Sequence, residues 1–272
     1  MADKAQEAGR RADHSQALEA GIRFGHVVYG VVHLTFAWLA LQLALGDSSG
    51  EASGSGAVQE LAGQPLGEIV LWSIAVGMAL LVLWRLLDAV RGHWGDDGAT
   101  LWRKRAADVV MAGVYATLAY TAVSTVIGAS SGSGEQTSRS VTARVMELPG
   151  GQVLVGAVGV VVIALAGALA WRGVTRSFME RFDADGRQGQ DSRAYRVLGT
   201  VGYVAKGGTL AIVGALFVVS AARHQPSQTG GTDTALRELL DQPFGPYLLG
   251  AMAVGIGAYG LFCFARARHL SR

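Results

Sequence analysis

The sequence predicts an all-α polytopic membrane protein whose six transmembrane helices form three tandem hairpins. Three observations lead to this prediction: six long stretches almost without charge, a proline junction that occurs three times, and glycines that keep a nearly constant spacing from that junction. Half of the 272 residues are hydrophobic and 16% are charged, which is a low charge content for a soluble protein. We therefore expect a single membrane domain that takes up residues 1–272.

Each uncharged stretch is long enough to cross a membrane. An α-helix of about 20 apolar residues spans ~30 Å of hydrocarbon at a rise of ~1.5 Å per residue. The N-terminal segment is polar and mixed in charge, without the apolar core and cleavage site of a signal peptide, so the first span is expected to direct insertion. The six predicted spans are residues 24–45, 66–90, 106–128, 151–171, 197–221 and 246–265.

The basic residues predict the orientation of these spans. Seventeen of the 23 Lys and Arg residues lie in the N-terminal tail, the loops after the second and fourth spans, and the C-terminus, whereas four lie in the other loops. Since Lys and Arg accumulate on the cytoplasmic side of membrane proteins, both termini are expected to be cytoplasmic. The pI of about 8.8 is then a consequence of topology, and we expect no nucleic acid as a partner.

The proline junctions divide the chain into three repeats. They read ELAGQPLGEIVLW at 60–72, MELPGGQVLVG at 146–156 and ELLDQPFGPYLLG at 238–250. Superposing the junctions brings three upstream glycines into register, 35 residues before the first proline and 36 before the other two: Gly30, Gly113 and Gly207.

The repeats are assigned to residues 18–94, 101–180 and 195–270. Because all three enter the membrane from the same side, they are expected to be parallel repeats, related by rotation about the membrane normal. The predicted architecture is therefore a bundle of three hairpins around a pseudo-threefold axis.

The same local plan is expected in every repeat. A Ser/Gly-rich outer loop, which should bury little and be mobile, leads into a short amphipathic helix at 57–62, 142–148 or 234–239. Proline suits the first position of the returning helix, because its missing N–H would have no partner there, and the glycine two residues later leaves room for the turn. These junction residues are Pro65, Gly67, Pro149, Gly151, Pro243 and Gly245.

The Q-P-x-G junctions at 64–67 and 242–245, and the G-Y-x-x-K-G pattern at 202–207, resemble those of the bacterial domain-of-unknown-function family 1206. This family consists of six-span membrane proteins built from three such repeats, and the resemblance covers nearly the whole chain. It implies the fold and a location in the bacterial cytoplasmic (inner) membrane, but no activity. The middle repeat departs from the pattern, with Leu148 in place of the glutamine and Ala107 and Asp108 where a glycine is expected.

Two ionisable residues near the middle of predicted spans are the leading candidates for function. Lys206 lies about nine residues into the fifth span and His33 about ten into the first, which places both roughly 14 to 15 Å from the cytoplasmic surface. Such groups cost several kcal/mol in hydrocarbon unless they are paired or hydrated. Their repeat equivalents carry no charge, so repetition alone does not explain them. The structural alternative is a lysine that reaches the interface and a neutral histidine that hydrogen-bonds a backbone carbonyl.

A second group of ionisable residues is expected near the cytoplasmic face. Arg85 and Asp88 share a helix face at i, i+3 and can form an ion pair. An ion-pair network that locks the hairpins together is favoured over a gating or proton-relay site, although the spacing of His26 and His33 also permits a proton path. The group consists of His26, Arg85, Asp88 and Asp108.

Several classes of chemistry are not indicated. The chain contains no Walker loop, dinucleotide fingerprint, HExxH or GxSxG motif, and residues 183–191 do not match a calcium loop. A single cysteine, Cys263, excludes an internal disulfide and a thiolate metal cluster. We therefore expect no enzymatic activity, no metal and no cofactor.

Two functional hypotheses follow. The first is passage or exchange of a small solute or ion through the bundle, with Lys206 and His33 facing its axis. The second is a membrane-embedded scaffold or accessory subunit whose basic cytoplasmic loops, above all the Arg-rich segment 172–196, bind anionic lipid or a membrane protein partner. The lipid bilayer is the surrounding medium in both.

Overall fold

The computed structural model describes residues 2–47, 49–91, 98–129, 134–182, 184–225 and 229–269. Within these ranges every regular element longer than a single residue is a helix. Six of these helices, the ones called α1, α3, α4, α6, α8 and α10 below, are long and apolar enough to cross a membrane. The predicted fold class is thereby confirmed. The elements are α1 (Ala2–Ala44), α2 (Gly54–Ala62), α3 (Gly67–Arg91), α4 (Gly98–Val126), α5 (Gly134–Met146), α6 (Gly151–Thr175), a 3₁₀ helix (Ser177–Arg181), α7 (Ala184–Gln188), α8 (Ser192–Arg223), α9 (Thr232–Leu240) and α10 (Gly245–Arg268).

The first long helix of each repeat packs against the second long helix of the preceding repeat. The pairs are α4 with α3, α8 with α6, and α1 with α10, so these three interfaces are equivalent in a threefold plan. Two of the glycines that align in the sequence lie at their contact points. A Cβ atom at Gly30 would lie 2.9 Å from the backbone oxygen of Gly260, and one at Gly207 would lie 2.8 Å from that of Ala166, which is the close approach that small residues permit between membrane helices.

The contacts within the hairpins are less regular. In repeat one, α1 meets α3 at Gly25 and Gly77, and in repeat three α8 meets α10 at the equivalent positions, Gly202 and Gly255. The middle repeat has larger residues there, Asp108 and Val161. Over the described part of the chain, α4 and α6 share no extensive interface, so the ring of helices is open between them.

The proline junctions form hydrogen-bonded turns ahead of the helices. The N–H of the junction glycine donates to the carbonyl of the residue before the proline, over 2.8 Å at Gly67, 2.9 Å at Gly151 and 2.8 Å at Gly245. The residue between proline and glycine has a left-handed backbone, with φ of 65° at Leu66, 78° at Gly150 and 61° at Phe244. Proline followed by a residue with positive φ is the pattern of a type II turn.

The position predicted for the prolines is therefore wrong by two residues. Pro65, Pro149 and Pro243 lie in the turns, and the returning helices begin at the glycines. The fixed φ of proline serves the second residue of a turn and not the first residue of a helix. The role expected of the glycines is supported by the geometry, because a Cβ atom at Gly67, Gly151 or Gly245 would collide with a backbone carbonyl of the preceding short helix.

The short helices α2, α5 and α9 overlap the predicted amphipathic segments, although α5 (Gly134–Met146) begins well before the predicted 142–148. They cover the end of the bundle that carries the proline turns, here called the junction end. The first outer loop is more buried than expected, because Ala52 is fully buried and Ser53 is only 6% exposed. The Asp233 carboxylate accepts a hydrogen bond from the Ala52 N–H over 2.8 Å, and Arg237 donates to the Gly50 carbonyl over 3.0 Å. These contacts tie the first outer loop to α9, and so repeat one to repeat three.

The opposite end of the bundle, where α3, α6 and α10 finish, is called the arginine end. Basic residues occupy the last turns of α6 and α10 there. Between the two ends, the outward faces of the long helices carry large apolar side chains, including Val153, Val160 and Leu261. This surface suits contact with lipid, as expected for a multi-pass membrane protein.

Candidate functional site

Lys206 of α8 and His33 of α1, the two ionisable residues predicted near the middle of separate spans, are in direct contact. The Lys206 side chain points into the bundle, where its Nζ atom donates a hydrogen bond to the Tyr29 hydroxyl over 2.8 Å and lies 3.2 Å from His33 Nε2. The ammonium group also lies 4.3 Å from the ring centre of Tyr259 of α10 and 5.0 Å from that of Tyr29. Three helices therefore meet at this lysine.

The contacts of His33 define which ring nitrogen carries a proton. Its Nδ1 lies 2.9 Å from the backbone oxygen of Tyr29, and since a carbonyl can only accept, Nδ1 is the donor. His33 Nε2 then has a lone pair that accepts from the Lys206 ammonium. The arrangement is a neutral imidazole beside a positive lysine, and a second proton on the imidazole would break it by repulsion.

The charge of Lys206 is not neutralised within the described residues, where its ammonium forms no ion pair with a carboxylate. The groups in contact with it are neutral: one hydroxyl, one imidazole and two aromatic faces. Cation–π contact and hydrogen bonds stabilise an ammonium group in a low-dielectric interior. They leave its positive charge available to a ligand that carries negative charge or a carbonyl oxygen.

Arg85 of α3 and Asp108 of α4 form a buried ion pair. Arg85 Nη1 donates to Asp108 Oδ1 over 2.8 Å, and both residues are about 95% buried. Asp88, the partner expected from sequence spacing, lies half-buried one turn along α3, close enough to interact electrostatically with Arg85. The aspartate that replaces a glycine in the middle repeat thus holds α4 to α3.

His26, the fourth member of the second predicted group, is fully buried against the ring of Trp84. The two ring centres are 5.3 Å apart, and His26 Nδ1 lies 2.8 Å from the backbone oxygen of Ile22. Trp84 also contacts Arg85, whose guanidinium carbon lies 4.5 Å from the ring centre. His26 and Arg85 are therefore gathered around one tryptophan.

Tyr115 of α4 joins the two predicted groups. Its side chain lies close enough to Arg85 to interact with it electrostatically, and its ring packs edge-on against Tyr29 with the ring centres 5.0 Å apart. Tyr29 in turn holds Lys206. One buried cluster, called the central cluster, therefore runs from the middle of the bundle to the arginine end and comprises Tyr29, His33, Arg85, Asp108, Tyr115, Lys206 and Tyr259.

The tyrosines of the central cluster were not predicted as site residues. Tyr29, Tyr115 and Tyr259 are each at least 96% buried, and a tyrosine buried in a span needs a partner for its hydroxyl. The need for a hydroxyl partner could have identified these tyrosines as site residues from the sequence. The choice of partner depends on how helices from different repeats meet, which the sequence does not specify.

No group of three or more His, Cys, Asp and Glu side chains that could hold a metal ion occurs within the described ranges. Cys263 is buried next to the central cluster on α10. Its single thiol does not form a metal-binding group with other side chains of the described residues. The chemistry that the cluster offers is hydrogen bonding and charge.

The six-span bundle of three tandem hairpins defines the class of the protein as a multi-pass α-helical membrane protein. The chain belongs to the family described as Domain of Unknown Function (DUF1206), whose model matches it three times, at residues 24–92, 109–176 and 201–269. Each match covers one hairpin, in agreement with the triplication inferred from the junctions.

A relative that aligns over most of its length is the uncharacterized protein YxxB of Bacillus subtilis (strain 168). It is 31% identical over 247 residues, which cover 90% of this chain and 88% of that protein. No solved structure matches the chain significantly.

Proposed function

We propose that the protein passes or exchanges a small solute or ion through its helix bundle without enzymatic chemistry, and that Lys206 and His33 bind the solute. One observation carries the proposal. The Lys206 ammonium lies inside the bundle, held by Tyr29 and His33 and by no carboxylate within the described residues. A charge buried without a counterion costs several kcal/mol, which a purely structural role would not require.

A solute with a negative or carbonyl oxygen offsets this cost when it binds. It accepts a hydrogen bond from the ammonium and replaces the contact with either Tyr29 or His33. Both contacts are single hydrogen bonds between neutral and charged groups, so each is worth only about 1.5–3 kcal/mol. Exchange between protein and solute partners at Lys206 is therefore energetically accessible.

The proposal is tested by flux into proteoliposomes that contain wild type, Lys206→Met or Lys104→Met. Chloride- and proton-sensitive dyes and osmotic swelling in small neutral solutes provide the readouts. We expect a flux in the wild type that Lys206→Met abolishes. Lys104 is exposed on α4, so the same substitution there controls for loss of one lysine. Equal flux in wild type and Lys206→Met contradicts the role of Lys206.

We also propose that the bundle lies in the bacterial cytoplasmic membrane with both termini cytoplasmic. The distribution of Lys and Arg, 17 against four, supports this orientation. Reporter fusions after Arg272 provide the test. A reporter that is active outside the cell, and inactive inside it, contradicts the orientation but leaves the site unaffected.

A scaffold role is the second candidate. It is favoured because part of the Arg-rich segment is folded against the bundle. Residues 177–182 fold back onto the bundle, where Phe178 and Phe182 pack against Phe262 with ring centres 5.0 and 5.6 Å apart. A folded basic segment presents a fixed surface to a membrane protein partner or to anionic lipid. Recovery of a stoichiometric partner with the purified protein, together with no flux in the wild type, would favour this role over passage.

A further inference from the structure

Arg266 is a buried arginine outside the contacts of Lys206. It lies in the last turn of α10, is 6% exposed, and has its guanidinium carbon 5.7 Å from the ring centre of Trp84. Its Nη2 atom is fully buried and has no hydrogen-bond partner in the described structure. A buried N–H of a charged group without an acceptor is costly, so packing alone does not explain why Arg266 is buried.

Arg266 lies within electrostatic range of two other cations in the bundle, Arg85 and Lys206. Arg85 and Arg266 both contact the Trp84 ring, and Arg85 already holds Asp108. The Nε atom of Arg85 is likewise buried without an acceptor. Among the described residues, these two guanidinium groups on α3 and α10 have one buried carboxylate in contact, Asp108, and the half-buried Asp88 one turn from Arg85.

The C-terminal position in α10 accounts for only part of this arrangement. The negative end of the helix dipole favours a cation in the last turn, and the Trp84 face stabilises a guanidinium group. Neither supplies the in-plane acceptor that a guanidinium N–H requires. An oxyanion does, because its oxygens match the planar fork of arginine.

We propose that Arg266, with Arg85 as a second donor, binds a phosphate-type oxyanion beside Trp84, between α3 and α10 at the arginine end of the bundle. The phosphate belongs either to the headgroup of an anionic lipid or to a soluble ligand. Arg266 lies two residues before the end of α10, which in a membrane-spanning helix is the depth of the headgroups and the adjoining water. This inference does not rest on the proposed passage of a solute, since a bound headgroup needs no transport.

The middle repeat supplies a matched control residue, Arg172. Arg172 occupies in α6 the position that Arg266 occupies in α10, 21 residues after the junction glycine. Its guanidinium carbon also lies over an aromatic ring, 5.6 Å from the centre of Tyr203, but the residue is only half-buried. Replacing either arginine by glutamine removes one charge at the same end of the protein.

The test measures thermal unfolding of the full chain in neutral detergent at constant ionic strength. One arm titrates inorganic phosphate, and the other adds phosphatidylglycerol, with phosphatidylcholine as the zwitterionic comparison. We expect a saturable rise in Tm in one arm for wild type and for Arg172→Gln, and an apparent affinity at least tenfold weaker for Arg266→Gln. A response to phosphate identifies a soluble ligand, and a response to phosphatidylglycerol alone identifies a lipid headgroup.

Arg266→Lys is measured alongside, because Arg266→Gln can fail to fold. The lysine keeps the charge but loses the planar fork, so its affinity is expected to fall several-fold. No saturable response in either arm, equal affinities of wild type and Arg266→Gln, or equal affinities of wild type and Arg266→Lys would overturn the proposal.

Discussion

Tyr29 and Lys206 occupy the same position in repeats one and three, and they are hydrogen-bonded to each other. The equivalent residue of the middle repeat is Ala112. Positions related by a threefold axis approach one another when they face that axis, so three lysines there would repel. Divergence of the repeats has placed one donor and one acceptor at these positions.

Tyr29→Phe removes this acceptor and leaves the ring in place. Because Lys206 then loses one of its two hydrogen-bond partners, we expect a fall of about 1.5–3 kcal/mol in the free energy of unfolding. Tyr120→Phe is the control, since Tyr120 lies on α4 with 70% of its surface exposed. Denaturant unfolding of the purified protein provides the measurement. Equal effects of the two substitutions would show that the Tyr29 hydroxyl carries no special interaction.

At this scale the sequence predicted Lys206 and His33 because ionisable residues in a long apolar stretch are visible without a structure. It also grouped Asp108 with Arg85, because both lie near the ends of predicted spans. The pairing of Asp108 with Arg85 was not predictable, because it depends on which helix of the preceding repeat lies beside α4. The role of Tyr115 was missed for the same reason.

The proline turns explain how each short helix passes into a long one. A type II turn reverses the chain over four residues, and the glycine after it starts the next helix against the end of the previous one. The sequence pattern located all three turns. It did not distinguish proline in a turn from proline in a first helical turn, since both positions accept the same φ.

Gly245→Ala is expected to destabilise the protein. Its Cβ atom would collide with backbone carbonyls at the end of α9, and overpacking of this kind costs about 1–3 kcal/mol. Gly250→Ala, one turn further along α10, is the control because a Cβ atom there meets no atom within 4 Å. Unfolding temperatures of the two variants in detergent give the comparison, and equal temperatures would contradict the turn geometry.

On the scale of the whole molecule, the ring of helices closes between the first and last repeats and opens within the middle one. The α1–α10 interface and the contact of Asp233 with Ala52 join repeats one and three. The opening between α4 and α6 coincides with two replacements in the middle repeat, where Asp108 and Val161 stand in place of the glycines of the other two repeats. The triplication was predictable from the junctions, but the opening required knowledge of which small residues touch.

Cysteine pairs test this asymmetry in a Cys263→Ser background. A Cβ atom at Gly77 would lie 3.2 Å from the Val28 Cβ, near the spacing of ~3.5–4.5 Å that a disulfide needs. We expect Val28→Cys/Gly77→Cys to form a disulfide on mild oxidation. The equivalent pair in the middle repeat, Met111→Cys/Val161→Cys, should stay reduced. Equal cross-linking of both pairs would show that the middle hairpin is closed.

Access of water to Lys206 is the most direct measurement of the central claim, which is that a solute reaches this residue inside the bundle. A water-soluble methanethiosulfonate reagent is applied to Lys206→Cys and to Val204→Cys, each in the Cys263→Ser background and in lipid vesicles. Val204 lies two residues away on α8 with its apolar side chain exposed on the surface, so it faces lipid at nearly the same depth. Because the reactive species is a thiolate, which needs water, the account predicts rapid modification of the cysteine at 206 and none at 204. Modification at 204 with none at 206 would contradict it.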